Sequence, residues 1–258
     1  MKGRIRRIAV AVPLALALSG ATLVASNADD ASAPSDAERS RKYAFMSKHF
    51  GYKYIARWNP CRTIHYKINP RKSPRKGAIK DVRKAIKRVH GASGLKFKYL
   101  GRTKVVPKNG ANKYRGKTDL VIAWTTPKKR NFSGNAAWGG GQWWHRRGAR
   151  YGEMRTGFVI VNGKYRYNYP KGFGANGKYG TRGQLLMHEL GHAMGLWHVP
   201  SKKQLMYRYT RHRKAKWGGG DRKGLHKVGR RAGCGGFRAP DSAKGADVKV
   251  DTGSFSAA

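Results

Sequence analysis

The segment His188-Glu189-Leu190-Gly191-His192-Ala193-Met194-Gly195-Leu196-Trp197-His198 decides how the rest of this chain is read. On a helix opened by Thr181, residues four apart share a face, so His188 and His192 present their rings to one point. Gly195 stands where such a helix must stop. Lacking a Cβ, it takes a left-handed conformation at little cost and turns the chain so that His198 returns as a third ligand. Three neutral imidazoles suit zinc and leave a fourth position for water. Glu189, one of only three glutamates in the chain, stands beside the first ligand, where it would take a proton from that water rather than bind the metal. The bland reading, a buried helix with incidental histidines, is set aside because the five fixed positions coincide by chance in roughly 1 in 10⁵ such sequences.

Working outward, Thr63 to Asn69 alternates Ile64, Tyr66 and Ile68 with His65 and Lys67, a half-buried strand closed by Pro70. Ser73-Pro74 opens an amphipathic helix with Ile79, Val82, Ile86 and Val89 on one face and a basic outer face. Leu95–Leu100, Thr118–Trp124 and Phe158–Asn162 read as further strands, the last one edge-like, and a short helix follows Arg222. The Gly- and Trp-rich stretch from Asn131 to Gly152 reads as a long surface loop.

Residues 1–28 have the three-part layout of a secretory signal peptide: Lys2, Arg4, Arg6 and Arg7, an apolar run from Ile8 to Ala25, then small residues. The expected location is outside the cell, cell-wall association included. Loss of those four basic residues and no acids takes the formal charge from +44 to +40. Such a field draws polyanions without choosing among them, and attachment to acidic polymers or surfaces is expected. Lys and Arg are scattered with no recognisable nucleic-acid motif, so no specific nucleic-acid partner is expected. The organisation expected is a leader at 1–28, a short segment at 29–57, one catalytic domain at 58–236 and a flexible tail at 237–258. In an exported chain the even pair Cys61 and Cys234 suggests a disulfide. The competing reading is a free thiolate that binds the zinc to keep the chain latent.

The motif and the order of elements resemble the metzincin clan of metallopeptidases, and within it the matrixin-like secreted bacterial enzymes, over roughly residues 58–234. The resemblance implies a zinc metalloendopeptidase acting on proteins or peptides as a monomer. The implied fold is α+β, α/β-like: a twisted, mostly parallel sheet with one antiparallel edge strand, an active-site helix and a methionine turn. Met206, eight residues after His198, would pack beneath the three imidazoles, and Tyr207 would help wall a substrate pocket. A substrate would add as an extended strand beside residues 157–162. The family's prodomain switch has no counterpart in this sequence. Between 110 and 187 only Asp119, Glu153 and His145 are strong ligands, so one catalytic Zn²⁺ is expected, no second zinc, and calcium lacks support. A second reading of the same residues is a cationic binding module for nucleic acid or acidic cell-surface polymer, with a structural zinc.

Overall fold

The computed structural model describes residues 42–238, apart from positions 75, 76, 109, 111, 127, 130, 131, 133, 166 and 167, and the backbone of 250–257. The expected leader at 1–28 and residues 239–249 of the expected tail lie outside the described residues. In chain order the elements are β1 (Ala44–Phe45), α1 (Met46–His49), β2 (Ile55–Arg57), β3 (Ile64–Asn69), α2 (Ala78–Ser93), β4 (Phe97–Arg102), β5 (Leu120–Thr125), β6 (Ala137–Arg146), β7 (Tyr151–Asn162), α3 (Arg182–Ala193), β8 (Leu196–Trp197), α4 (Gly219–Val228) and β9 (Val250–Ala257).

The Leu-Val-Ile-Ala-Trp-Thr run of β5 is buried at every position, as a strand covered on both faces must be. It lies near the middle of a sheet ordered β4-β3-β5-β7-β6-β9. The pairings are parallel from β4 to β7 and antiparallel from β7 to β6 and from β6 to β9. The architecture is therefore the α/β, metzincin-like one. The stripe Val82, Ala85, Ile86, Val89 of α2 is buried against the sheet and α3, each large aliphatic side chain stabilising the fold by about 1.5–3 kcal/mol. Its lysines and Arg83 face water. A buried ion pair, Arg182 to Asp81 at 2.7 Å, fastens the first turn of α3 to α2. Trp58 donates from Nε1 to the Ala193 carbonyl at the other end of α3 (2.9 Å).

Three expectations are corrected. Residues 137–146 of the supposed loop form β6, a ten-residue strand. Its glycines are there for packing: a Cβ on Gly139 would lie 2.1 Å from the Glu189 carbonyl oxygen, and one on Gly141 would lie 2.7 Å from the Thr156 oxygen. Only glycine lets this strand press against the helix behind it. As a consequence, residues 157–162 are no edge; they are the second half of β7, hydrogen-bonded to β5 on one side and β6 on the other. The antiparallel strand is β6. Finally, the expected tail supplies β9, whose backbone pairs with β6 from Gly139↔Ala257 to Arg146↔Val250.

Cys61 and Cys234 are joined in a disulfide, Cα–Cα 5.5 Å, across 173 residues. The latent-thiolate reading is thereby overturned, since neither sulfur is free to bind a metal.

Candidate active site

Helix α3 begins after Thr181 and is buried along its whole length, which carries polar residues into the interior. Gly195 has φ +100°, and the chain reverses there into β8, which pairs with β1 and delivers His198. The three Nε2 atoms stand 3.1 Å (His188–His192), 3.1 Å (His188–His198) and 3.2 Å (His192–His198) apart. The His188–His192 contact is not a hydrogen bond between rings. His188 donates from Nδ1 to the Leu205 carbonyl (2.9 Å) and His192 from Nδ1 to the Leu196 carbonyl (2.9 Å), so both rings turn bare Nε2 lone pairs toward the shared point. Burial holds His188 down to about 4 and His198 to about 2, the latter also opposed by His188, Arg208 and His49 nearby, and puts His192 well below its usual range. The rings are neutral, and the facing lone pairs of His188 and His192 repel one another unless a cation lies between them.

The triangle fits zinc. Three nitrogens at about 2.0–2.1 Å from one tetrahedral ion are about 3.3 Å apart, within two tenths of an ångström of the spacings found. Among the described residues these histidines form a set whose ligand atoms all lie within 4.8 Å of one another.

Glu189 is buried beside this point. Burial pushes its carboxyl up to about 8, against a hydrogen bond from the Gly139 amide that lowers it. Its Oε2 is buried and has no hydrogen-bond partner. Beneath the helix lies Met206, 1% exposed, with its sulfur against Gly191: a Cβ there would meet Sδ at 2.4 Å. The turn that carries Met206 is held by residues the sequence reading passed over. Asp221 Oδ2 accepts from the Leu205 amide (2.5 Å), its Oδ1 from the Met206 amide (3.2 Å), and Gln204 Oε1 from the Gly220 amide (2.8 Å). Because the Leu205 carbonyl in turn holds His188, the carboxylate of α4 orients a ring of α3 through the turn. Asp221 reaches fifteen residues back along the chain to this turn, a distance that no local sequence pattern signals.

A cavity of about 440 Å³ opens at the three histidines and Glu189. One side is the stretch Gly134–Ala137, leading into β6; another is Arg208, Tyr209 and Thr210. Tyr207, expected at this wall, instead bridges Val199 and packs its ring against Tyr209 at 5.9 Å. The next three residues face the cavity. Tyr169 stands opposite, its hydroxyl 3.5 Å from that of Thr210. His145, taken for a loop residue, belongs to β6, stacks on Tyr54 at 3.5 Å and lies toward the far end of that strand from the cavity.

No curated protein matches this chain at a significant level. The matrixin family model matches residues 57–228, more than half of the chain. That match runs from β3 through the histidine helix to the end of α4, and the chain accordingly belongs to the matrixin family, a family of zinc metallopeptidases.

Proposed function

We propose that this matrixin is an exported, monomeric endopeptidase in which His188, His192 and His198 hold one catalytic Zn²⁺ and Glu189 is the general base. The observation that carries the reading is the meeting of three neutral imidazole Nε2 atoms, 3.1–3.2 Å apart, with a buried carboxyl oxygen that has no partner. Bound there, zinc supplies a Lewis acid that makes water more acidic and polarises a peptide carbonyl. Glu189 Oε2 takes a proton from the attacking water as the carbon–oxygen bond forms. The same carboxyl returns that proton to the amine nitrogen as the C–N bond breaks. The Gly139 amide holds the carboxylate in place meanwhile, and His188 and His192 keep their Nδ1 protons on the Leu205 and Leu196 carbonyls.

The substrate backbone adds as an extended strand on the outer side of Ala136–Trp138, where the chain lines the cavity and the β6–β9 ladder has ended at Gly139. The side chain entering the cavity meets Arg208, Tyr209, Thr210 and Tyr169. Export rests on the leader-like residues 1–28.

The test is hydrolysis of an internally quenched peptide by purified protein lacking residues 1–28, with zinc content measured alongside. Wild type is expected to hold about one zinc per chain and to lose activity to a chelator. Glu189→Gln is expected to keep the zinc and lose at least about 10³-fold in kcat. Activity indifferent to the chelator, or an active Glu189→Gln, refutes the mechanism.

A further inference from the structure

Strand β7 runs toward the cleft, and where it begins, ten residues or about 30 Å from Val161, a second cavity of about 640 Å³ opens. Lys48, Lys53, Arg150, Lys223, Lys227 and Arg231 line it, with His226, and no carboxylate is among its lining residues. Basic residues outnumber acidic ones 56 to 12 in this chain, so a patch without acids would by itself say little. This patch is distinguished by the number of cations that line one cavity and by a rigid frame.

The frame centres on Arg57, whose wholly buried guanidinium donates to the carbonyls of Ala232 (3.3 Å), Gly233 (2.9 Å) and Gly235 (3.0 Å). It lies over the ring of Tyr151 at 4.1 Å, and the Cys61–Cys234 bridge ties down the same segment. The backbone that carries Arg231 is thus fixed against the start of β7, next to Arg150. On α4, Lys223, His226 and Lys227 share one face by their i, i+3, i+4 spacing, opposite the buried Leu225 and Val228. Like charges so placed weaken a helix. Cations converging on a concave surface focus a positive potential, and an entering polyanion relieves their mutual repulsion.

We propose that this cavity binds a linear, phosphate-bearing polymer without nucleobases. A phosphate group carries at most about two negative charges, so six cations call for several phosphates in series. Lysine ammoniums, four of the six, act on phosphate as point charges and do not need the planar fork of an arginine–carboxylate pair. The aromatic floor is already engaged: Tyr54 stacks on His145 at 3.5 Å, and Tyr151 carries Arg57 at 4.1 Å and Arg150 at 5.2 Å. Bases would find no open ring on which to stack. The site shares no lining residue with the peptide cleft and does not depend on the peptidase chemistry.

The test uses inorganic polyphosphate as probe and the full zinc-loaded protein lacking residues 1–28, with Kd measured against salt. Lys223→Ala/Lys227→Ala/Arg231→Ala is expected to lose at least about tenfold in affinity near 0.15 M salt and to lower the slope of log K against log salt by about 2 to 3. A charge-matched control at the groove beside α2, Lys80→Ala/Lys87→Ala/Lys96→Ala, is expected to change affinity less than about twofold. Both variants should cleave an uncharged peptide as wild type does, which reports an intact fold. Equal losses in the two variants, or no loss in the first, overturn the site. Poly-glutamate or single-stranded DNA of matched charge binding as tightly as polyphosphate overturns the ligand.

Discussion

Replacing Gly195 by alanine tests how the third histidine is brought to the metal, because two separate costs meet at that residue. Its φ of +100° is strained for any residue with a Cβ, and the added carbon would stand 2.7 Å from the Ala56 carbonyl oxygen. The conformational part is of order 1–3 kcal/mol. The contact must open by several tenths of an ångström, adding about 1–3 kcal/mol of overpacking. The two parts can be separated, since Gly101 has φ +94° but nothing within 4 Å of its would-be Cβ. Gly101→Ala should therefore cost only the conformational part, and Gly195→Ala about 2–6 kcal/mol in denaturant unfolding of the metal-free protein. Because β8 carries the displacement to His198, zinc affinity in a competitive chelator titration should fall about 10- to 100-fold for Gly195→Ala and not for Gly101→Ala. If both variants unfold at the same midpoint and bind zinc as wild type does, the account of how His198 is positioned is wrong.

Removing the disulfide with Cys61→Ser/Cys234→Ser should lower stability by about 5 kcal/mol, the chain-entropy value for a loop of 173 residues, and reduction of wild type should reproduce it. In metal-free protein, the neutral state of His188 is favoured by the fold, with its value depressed to about 4 from an unfolded value near 6.5. That contribution is complete above pH 6.5 and is lost as pH falls toward 4, about 3 kcal/mol in all, so unfolding midpoints of the metal-free form should drop across this window. A midpoint flat from pH 7 to 4.5 would show that the rings are not held neutral. Ending the chain after Arg238 removes β9 and uncovers the outer side of Gly139–Arg146; KM for peptides extended on that side should fall severalfold with kcat unchanged, and an unchanged KM places the substrate elsewhere.

The histidine helix was legible because its information is local: i, i+4 spacing, an adjacent glutamate and a glycine at the stop all lie within eleven residues. The buried strands β3 and β5 and the helix α2 announced themselves by period and apolarity. Strand β6 did not, because the glycines that mark a loop in a local reading are here demanded by the close approach of another segment, fifty residues away in sequence at Glu189. The same holds for Asp221, whose partners Leu205 and Met206 belong to a different element, and for Arg57, which satisfies carbonyls some 175 residues distant. At the cavity wall the reading chose Tyr207 and the fold uses the three residues after it, since the bridge between Val199 and Tyr207 decides which side chains point inward.

The close approach of Gly139 to Glu189 makes the strand and the helix a single ruler. In the proposed binding mode, a peptide registered on this strand is set at a fixed distance from the Glu189 carboxyl, whatever its side chains are. Alignment in that mode is written in main-chain atoms, while the side chain that enters the cavity meets a separate segment, Arg208–Thr210. A substitution in that segment would reshape the cavity wall without moving the strand and helix that set the alignment.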